Sequence, residues 1–292
     1  MIPIDHHVHL EKGPYSLEWL GSFIQSAEDR HVARLGIVEH TTQFRALMMG
    51  ANRRELAPGD DPASLAQKTW FERHMNRGRL RDYTTFIKQA RERNPGTAFG
   101  LEVDWFGNTE TTDADMDFDW DFLIGSVHFI EDQAADNPGL PGIWNRLPVH
   151  DMYIRYFDLL RKAVEARAFD ILGHLDVLKM VRPLPADSKV AESLDRLIDA
   201  IAVSGITVEI NTAFSYRQES REEFCPSHDI IARLVSRGVP LTLSSDAHRP
   251  EHVGMNLDKA AEVLKALGVK CVRRFHRRKP EDVPLQAEGG QW

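Results

Sequence analysis

Seven short apolar runs alternate along this chain with segments of helical periodicity, and each run carries a histidine, a carboxylate or an asparagine at its carboxyl end. The runs are "IDHHVHL", "ARLGIVEH", "AFGLEVDW", "WDFLIGSVHFI", "FDILGHLD", "ITVEINTA" and "VPLTLSSDAH". Between them, "SLEWLGSFIQSAEDRH" opens at an N-cap candidate, Ser16, and sets Leu17, Leu20, Ile24 and Ala27 on one helical face. "DYTTFIKQARERNPG" reads as a helix from an Asp82 cap, stopped by Pro95 and Gly96; "KVAESLDRLIDAIAVSG" ends at Gly205. Residues 41–80 read as irregular, with Pro58, Gly59, Asp60, Asp61 and Pro62 as breakers. Strand–helix alternation of this kind builds a parallel sheet, and the α/β class follows.

An open sheet would spread the polar strand ends along a line, whereas a closed β/α barrel converges them on one face. The polar residues therefore favour a distorted seven-stranded (β/α)7 TIM-like barrel. A length of 292 residues with 42% hydrophobic content is enough for one such domain, expected over 1–278, with 279–292 as a loose C-terminal tail. The net charge of −8 argues against a nucleic-acid or membrane-surface partner. "MIPIDHH" lacks the basic start and apolar run of a signal peptide, and no 18-residue apolar stretch exists. Two cysteines, Cys225 and Cys271, form no C-x-x-C pair and fit a reducing cytoplasm.

The first strand sharpens the chemistry. Strict alternation turns Asp5, His7 and His9 one way and His6 and Val8 the other, so two imidazoles share a face. Adding the other strand ends gives His7, His9, His40, Glu102, His128, His174, Asp246 and His248, all N/O donors. That is more than one ion needs, because a zinc site takes about four ligands. Two or three divalent transition-metal ions (zinc, manganese or iron) are expected, with Glu102 or Asp246 able to bridge a pair. The remaining histidines (His6, His31, His74, His150, His228, His252 and His276) are assigned ordinary core or solvated roles. Clustered ions acidify a water and hold two oxygens of an in-line displacement, and phosphoester hydrolysis needs both.

In order, "DHHVHLE", "GIVEHT", "GLEVDW", "IGSVHFI", "GHLD" and "SSDAHRP" resemble the motifs of the polymerase-and-histidinol-phosphatase (PHP) family, from about residue 4 to residue 254. "IGSVH", "FDILGHLD" with its following lysine, and "EINTA" most resemble the histidinol-phosphatase branch. The resemblance implies a di- or trinuclear centre that hydrolyses a small phosphorylated substrate, L-histidinol phosphate first among candidates. It implies one ion among His7, His9, Glu102 and Asp246, a second held by Glu102, His128 and His174, and a third reached by His40 and His248. Many relatives place another ligand soon after the first H-x-H. Here Glu11 is the one acid nearby, either a third-site ligand or a solvated loop carboxylate.

A phosphate dianion calls for a cation beside the metals. Arg217, which follows the "EINTA" strand end as the family's arginine does, is the first choice; Lys179 and Arg249 are the alternatives. Glu11, Asp104, Glu131 and Asp132 are acids that could face the cationic end of histidinol. The basic run "RRFHRRK" reads as a solvated terminus. The catalytic set expected is Glu102, Asp246 and His248: an activated water attacks phosphorus, the ions and Arg217 neutralise the equatorial oxygens, and His248 or a water protonates the leaving alkoxide. Other readings are a PHP phosphoesterase acting on another monoester, nucleotides or phosphodiesters, an amidohydrolase-type metallohydrolase, and a non-enzymatic binding module.

Overall fold

Parallel pairing organises the chain, as apolar strand cores flanked by helices require. The structure is a computed structural model that describes residues 1–44, 47, 59–74, 78–107, 117–140, 142–217 and 223–285. In chain order the strands are β1 (Asp5–Val8), β2 (Leu35–Ile37), β3 (Ala98–Asp104), β4 (Phe122–Ser126), β5 (Phe129–Ile130), β6 (Gln133–Ala134), β7 (Ile171–Leu172), β8 (Thr207–Asn211), β9 (Leu241–Ser244), β10 (Cys271–His276) and β11 (Lys279–Pro284). Seven of them form one parallel sheet in the order β1-β2-β3-β4-β7-β8-β9. Its two edges meet, since His9 N–H donates to the Ala247 carbonyl at 2.8 Å and Ala247 N–H to the His7 carbonyl at 3.2 Å. The result is the nearly closed (β/α)7 barrel that the strand-end chemistry demanded.

Side chains alternate across the barrel wall. Leu101, Leu123, Val208, Ile210 and Leu243 face outward into the main core beneath the helices, including Leu17–Asp29, Leu80–Arg93, Val149–Ala166 and Ser188–Ser204. Phe122, Ile124, Ile171, Val38 and Phe275 form a separate inner cluster. Ser16 caps the first helix, accepting from Trp19 N–H, and Gly205 closes the helix before it with φ 74°. The Tyr156 hydroxyl, from helix Val149–Ala166, donates to the His174 carbonyl at 3.0 Å and so pins the segment after β7.

β1 breaks the strict alternation expected of it. Three steps from Asp5 to Val8 pair with two from Leu35 to Ile37, an irregularity of one residue. His6 consequently also faces the barrel interior, packing edge-on against Phe122 and Phe275 and bonding the Thr242 hydroxyl at 2.6 Å. Asp5 turns away from His7 and His9 and accepts from Ser245 N–H at 2.8 Å and Gly254 N–H at 2.9 Å.

Two other segments differ from expectation. Within 41–80, residues Pro62–His74 form a helix whose start is capped by Asp61, and Gln67 ties it to the β5–β6 hairpin through Asp132 O at 2.7 Å and Ala134 N at 2.9 Å. Helix Leu80–Arg93 begins before Asp82, which lies in its first turn. At the other end, residues 279–284 are a strand paired with β10, so the boundary expected at 278/279 falls inside a hairpin; residues 286–292 lie outside the described residues. Phe275 inserts from this hairpin into the inner cluster. Its two-residue turn, Arg277 and Arg278 at φ 47° and 60°, docks on the amino ends of the barrel strands. There Arg278 N–H donates to Asp121 O at 2.8 Å and its side chain pairs with Asp170. The basic run is therefore structural. Among the described residues no helix is long and apolar enough to cross a membrane.

Candidate metal centre

Glu102 stands on the inward face of β3, and the strand ends around it supply imidazoles. Its Oε2 lies 3.1 Å from His7 Nε2, 3.4 Å from His9 Nε2 and 3.1 Å from His40 Nδ1. Its Oε1 lies 3.1 Å from His174 Nε2 and 3.3 Å from His128 Nε2. The two oxygens thus divide five histidines into two groups, the geometry of a carboxylate that bridges two cations. Asp246 Oδ1 sits 3.1 Å from His248 Nε2 and 3.9 Å from His9 Nε2. Every one of the eight expected ligands is in this cluster.

Polar atoms buried here lack partners, which is the clearest sign that something is meant to lie between them. His7 Nε2, both nitrogens of His9 and Glu102 Oε2 make no aligned hydrogen bond although they lie within reach of one another. His128 Nε2 and His174 Nε2 aim at each other at 3.1 Å. A buried polar atom without a partner costs about 1–3 kcal/mol, so several together are poor design unless a cation collects them. Three ligand atoms within 4.8 Å of one another occur in sets such as His7, His9 and Asp246, or Glu102, His128 and His174. The donor set of imidazoles and carboxylates without thiolate fits zinc, manganese or iron.

The electrostatics agree. Burial pushes Glu102 up, but His40, His7 and His128 outweigh it and hold the carboxyl well below the usual range. Burial pushes His7 and His128 down, but the surrounding carboxylates, Glu102 foremost, hold both well above an ordinary imidazole. His9 differs: burial, with His248 and His40 nearby, pushes it down to about 3, leaving a neutral ligand. The carboxylates demand positive charge that protons supply in the bare chain and divalent ions would supply better.

Three of these imidazoles are gripped from behind at Nδ1 by a carboxylate. His7 is held by Glu209 at 2.9 Å, His128 by Asp104 at 2.7 Å and His248 by Glu11 at 2.8 Å. Such partners orient a ligating histidine and set its tautomer. Glu11, open in the sequence between ligand and solvated acid, is thereby drawn into the site. Glu209 was not singled out from the sequence. Its signal was present, since Glu209 and Asn211 share the inward face of β8 by period two.

A cavity of about 510 Å³ opens over the cluster, lined among others by Glu11, Trp70, Phe129, Asp136, Met180 and Arg217. Arg217 ends the short helix Ala213–Arg217 after β8, and its Nη2 lies 2.8 Å from Asp246 O and 3.3 Å from Asp246 Oδ1. Its neighbours do not include the other two cations. Lys179 is buried in a pair with Asp176 at 3.0 Å, bonded also to Phe224 O, and does not line the cavity. Arg249 points to solvent beside Glu251 at 3.8 Å. Of the acids considered for substrate selection, Glu11 and Asp104 line the cavity, whereas Glu131 and Asp132 form the β5–β6 turn, Glu131 paired with Arg155.

The profile of the family described as the PHP domain matches residues 5–213. A protein of Deinococcus radiodurans named probable histidinol-phosphatase is 30% identical over 216 residues, covering 72% of this chain and 81% of its own length. One of the same name from Schizosaccharomyces pombe is 25% identical over 288 residues, covering 92% and 88%. Among solved structures, histidinol phosphate phosphatase from Lactococcus lactis, complexed with zinc, L-histidinol and phosphate, matches with a TM-score of 0.71 and 19% identity. The match covers 96% of this chain and 98% of that one, and it speaks for the fold.

Proposed function

We propose, since the chain belongs to the PHP domain family, that it is a metal-dependent phosphomonoesterase that hydrolyses L-histidinol phosphate to L-histidinol and phosphate in histidine biosynthesis. The observation that carries the chemistry is Glu102 dividing five imidazoles between its two oxygens beneath a cavity that also presents Arg217. The choice of ester rests on the names of the relatives.

His7, His9, Asp246 and Glu102 Oε2 would hold one ion, and Glu102 Oε1, His128 and His174 a second. His40 and His248 would reach a third, and Glu11 groups with His9 and His248 on that side. Bound divalent ions supply Lewis acidity, bringing a water's pKa toward about 7 and offsetting phosphoryl charge. Arg217 faces the cavity with its charge secured: burial works against it, and the adjacent Asp246 carboxylate more than restores it. Its guanidinium binds phosphoryl oxygens and neutralises the charge that grows on them in the transition state. Burial pushes His248 down, and the flanking carboxylates of Asp246 and Glu11 outweigh it, holding the imidazole above its ordinary value. His248 or a water would give a proton to the leaving alkoxide as the P–O bond breaks. Trp70, Phe129, Val177 and Met180 give the cavity an apolar wall for the non-phosphate end. Lys12 is the one lysine lining the cavity among the described residues, and no strand end offers the lysine that amidohydrolase-type centres use. The two free cysteines, one buried and one exposed, support a cytoplasmic setting.

The test is kcat/KM on L-histidinol phosphate, glycerol phosphate and p-nitrophenyl phosphate, with metals counted by elemental analysis. A preference for the first of about 10⁴-fold is within reach of buried polar recognition. Turnover of all three within a few-fold would retain the phosphatase chemistry and remove the histidinol assignment. Faster cleavage of a phosphodiester would move the reading to the nuclease-like side of the family.

A further inference from the structure

Glu209 is fully buried behind His7, and each of the four groups around it can donate to it. Its Oε1 accepts from the backbone N–H of His174 at 2.6 Å and from Asn211 Nδ2 at 3.0 Å. Neither donor can reverse. A backbone amide has only its proton to offer, and the Asn211 amide is oriented by its Oδ1, which accepts from Ala213 N–H at 2.9 Å. Glu209 Oε2 meets His7 Nδ1 at 2.9 Å and the Ser244 hydroxyl at 2.8 Å. Oε1 is filled by two fixed donors, and Oε2 faces a hydroxyl and an imidazole nitrogen that can both donate, so a carboxylate at 209 with the His7 proton on Nδ1 satisfies all four groups at once.

We propose that Glu209 is a positioning residue that fixes His7 in the tautomer whose bare Nε2 faces Glu102, and that it thereby sets the metal affinity of that side of the centre. This rests on the reading of His7 as a metal ligand. Glutamine at 209 is nearly the same shape but cannot do the same work. Its NH2 cannot lie at the Oε1 position, where two fixed donors already point. It must lie at the Oε2 position and donate to His7 Nδ1. His7 then carries its proton on Nε2, which lies 3.1 Å from Glu102 Oε2 and would bond to it, closing the gap between two atoms that a cation should join. Ser244 has no such consequence, because its hydroxyl rotates freely between giving and accepting.

Zinc affinity of wild type, E209Q and S244A, measured by competition with a chromophoric chelator, tests this without relying on turnover. E209Q is expected to bind its weakest-held zinc about 10–100-fold less tightly, the usual span for losing an outer partner of a ligating histidine. S244A should bind as the wild type does. Wild-type zinc uptake with unchanged affinity in E209Q overturns the role of Glu209 alone. Wild-type chain that takes up less than one zinc overturns the metal-centre reading and this inference with it. Should E209Q fail to fold, nitrogen-15 spectra of histidine-labelled, zinc-loaded wild type decide: a proton on His7 Nδ1 supports the proposal, and one on Nε2 overturns it.

Discussion

His6 and His7 are neighbours on β1, both fully buried and both facing the barrel interior, yet they belong to opposite ends of it. His7 sits at the carboxyl end among Glu102, Glu209 and Asp246, which outweigh burial and hold it well above an ordinary imidazole. His6 sits toward the amino end against Phe122 and Phe275, where burial pushes it down to about 3. The carboxyl end concentrates charge that needs a cation. The amino end is closed by an apolar plug from the β10–β11 hairpin, whose turn bonds Asp121 and Asp170. Identical side chains one residue apart are thus shifted in opposite directions, and their surroundings decide which. A hydrolytic site can afford stranded polar atoms at one end when the other contributes packing energy.

The sharpest way to break this division is at Glu102. E102Q removes the charge shared by both groups of imidazoles, and turnover should fall by at least about 10³-fold with loss of bound metal, while circular dichroism stays native. Full metal content and near-normal turnover would remove Glu102 from the centre. R217A should lose about 10²-fold in kcat/KM with metal content intact, and R217K should recover part of it as a point charge without the planar fork. R249A, on the solvent side, serves as the comparison and should stay within about twofold.

At the amino end the effect should be on stability alone. F275A should cost about 3 kcal/mol of unfolding free energy by denaturant titration, with kcat unchanged well below the transition. A fall in kcat at full folding would mean that the two ends are coupled. The smallest expected effect is a pH dependence. An unfolded His6 takes up a proton below about 6.5, but the folded one does so only near 3, so its contribution is complete above 6.5 and is lost as pH falls between those values. H6N, which does not titrate, should flatten the decline of melting temperature across that window; an unchanged decline would show that His6 is not a source of acid sensitivity.

Much of this centre was legible because period-two strands and strand-end placement are local patterns. His40, His128, His174 and Asp246 could be listed without coordinates for that reason. The slip in β1 could not, since one extra residue leaves no mark in composition and reveals itself only against β2. Helix Pro62–His74 was hidden among breakers because its order comes from Gln67 bonding the β5–β6 hairpin, more than sixty residues away in sequence. Lys179 and Arg249 stood behind Arg217 as alternative phosphate partners. Their separation came from Asp176 claiming one and solvent the other.

By itself, the chain of residues determined the α/β alternation, the barrel and the set of candidate ligands that the fold gathers, since these follow from hydrophobic period and from donor chemistry repeated at strand ends. Only the tertiary structure decided that Glu102 faces both groups of imidazoles, that Glu11 and Glu209 stand behind His248 and His7, that Arg217 alone among the candidate cations reaches the cavity, and that the basic C-terminal run pins a plug. Those outcomes depend on contacts between residues tens to hundreds of positions apart, and a side chain's partner across a barrel is set by closure and register, which no local pattern encodes.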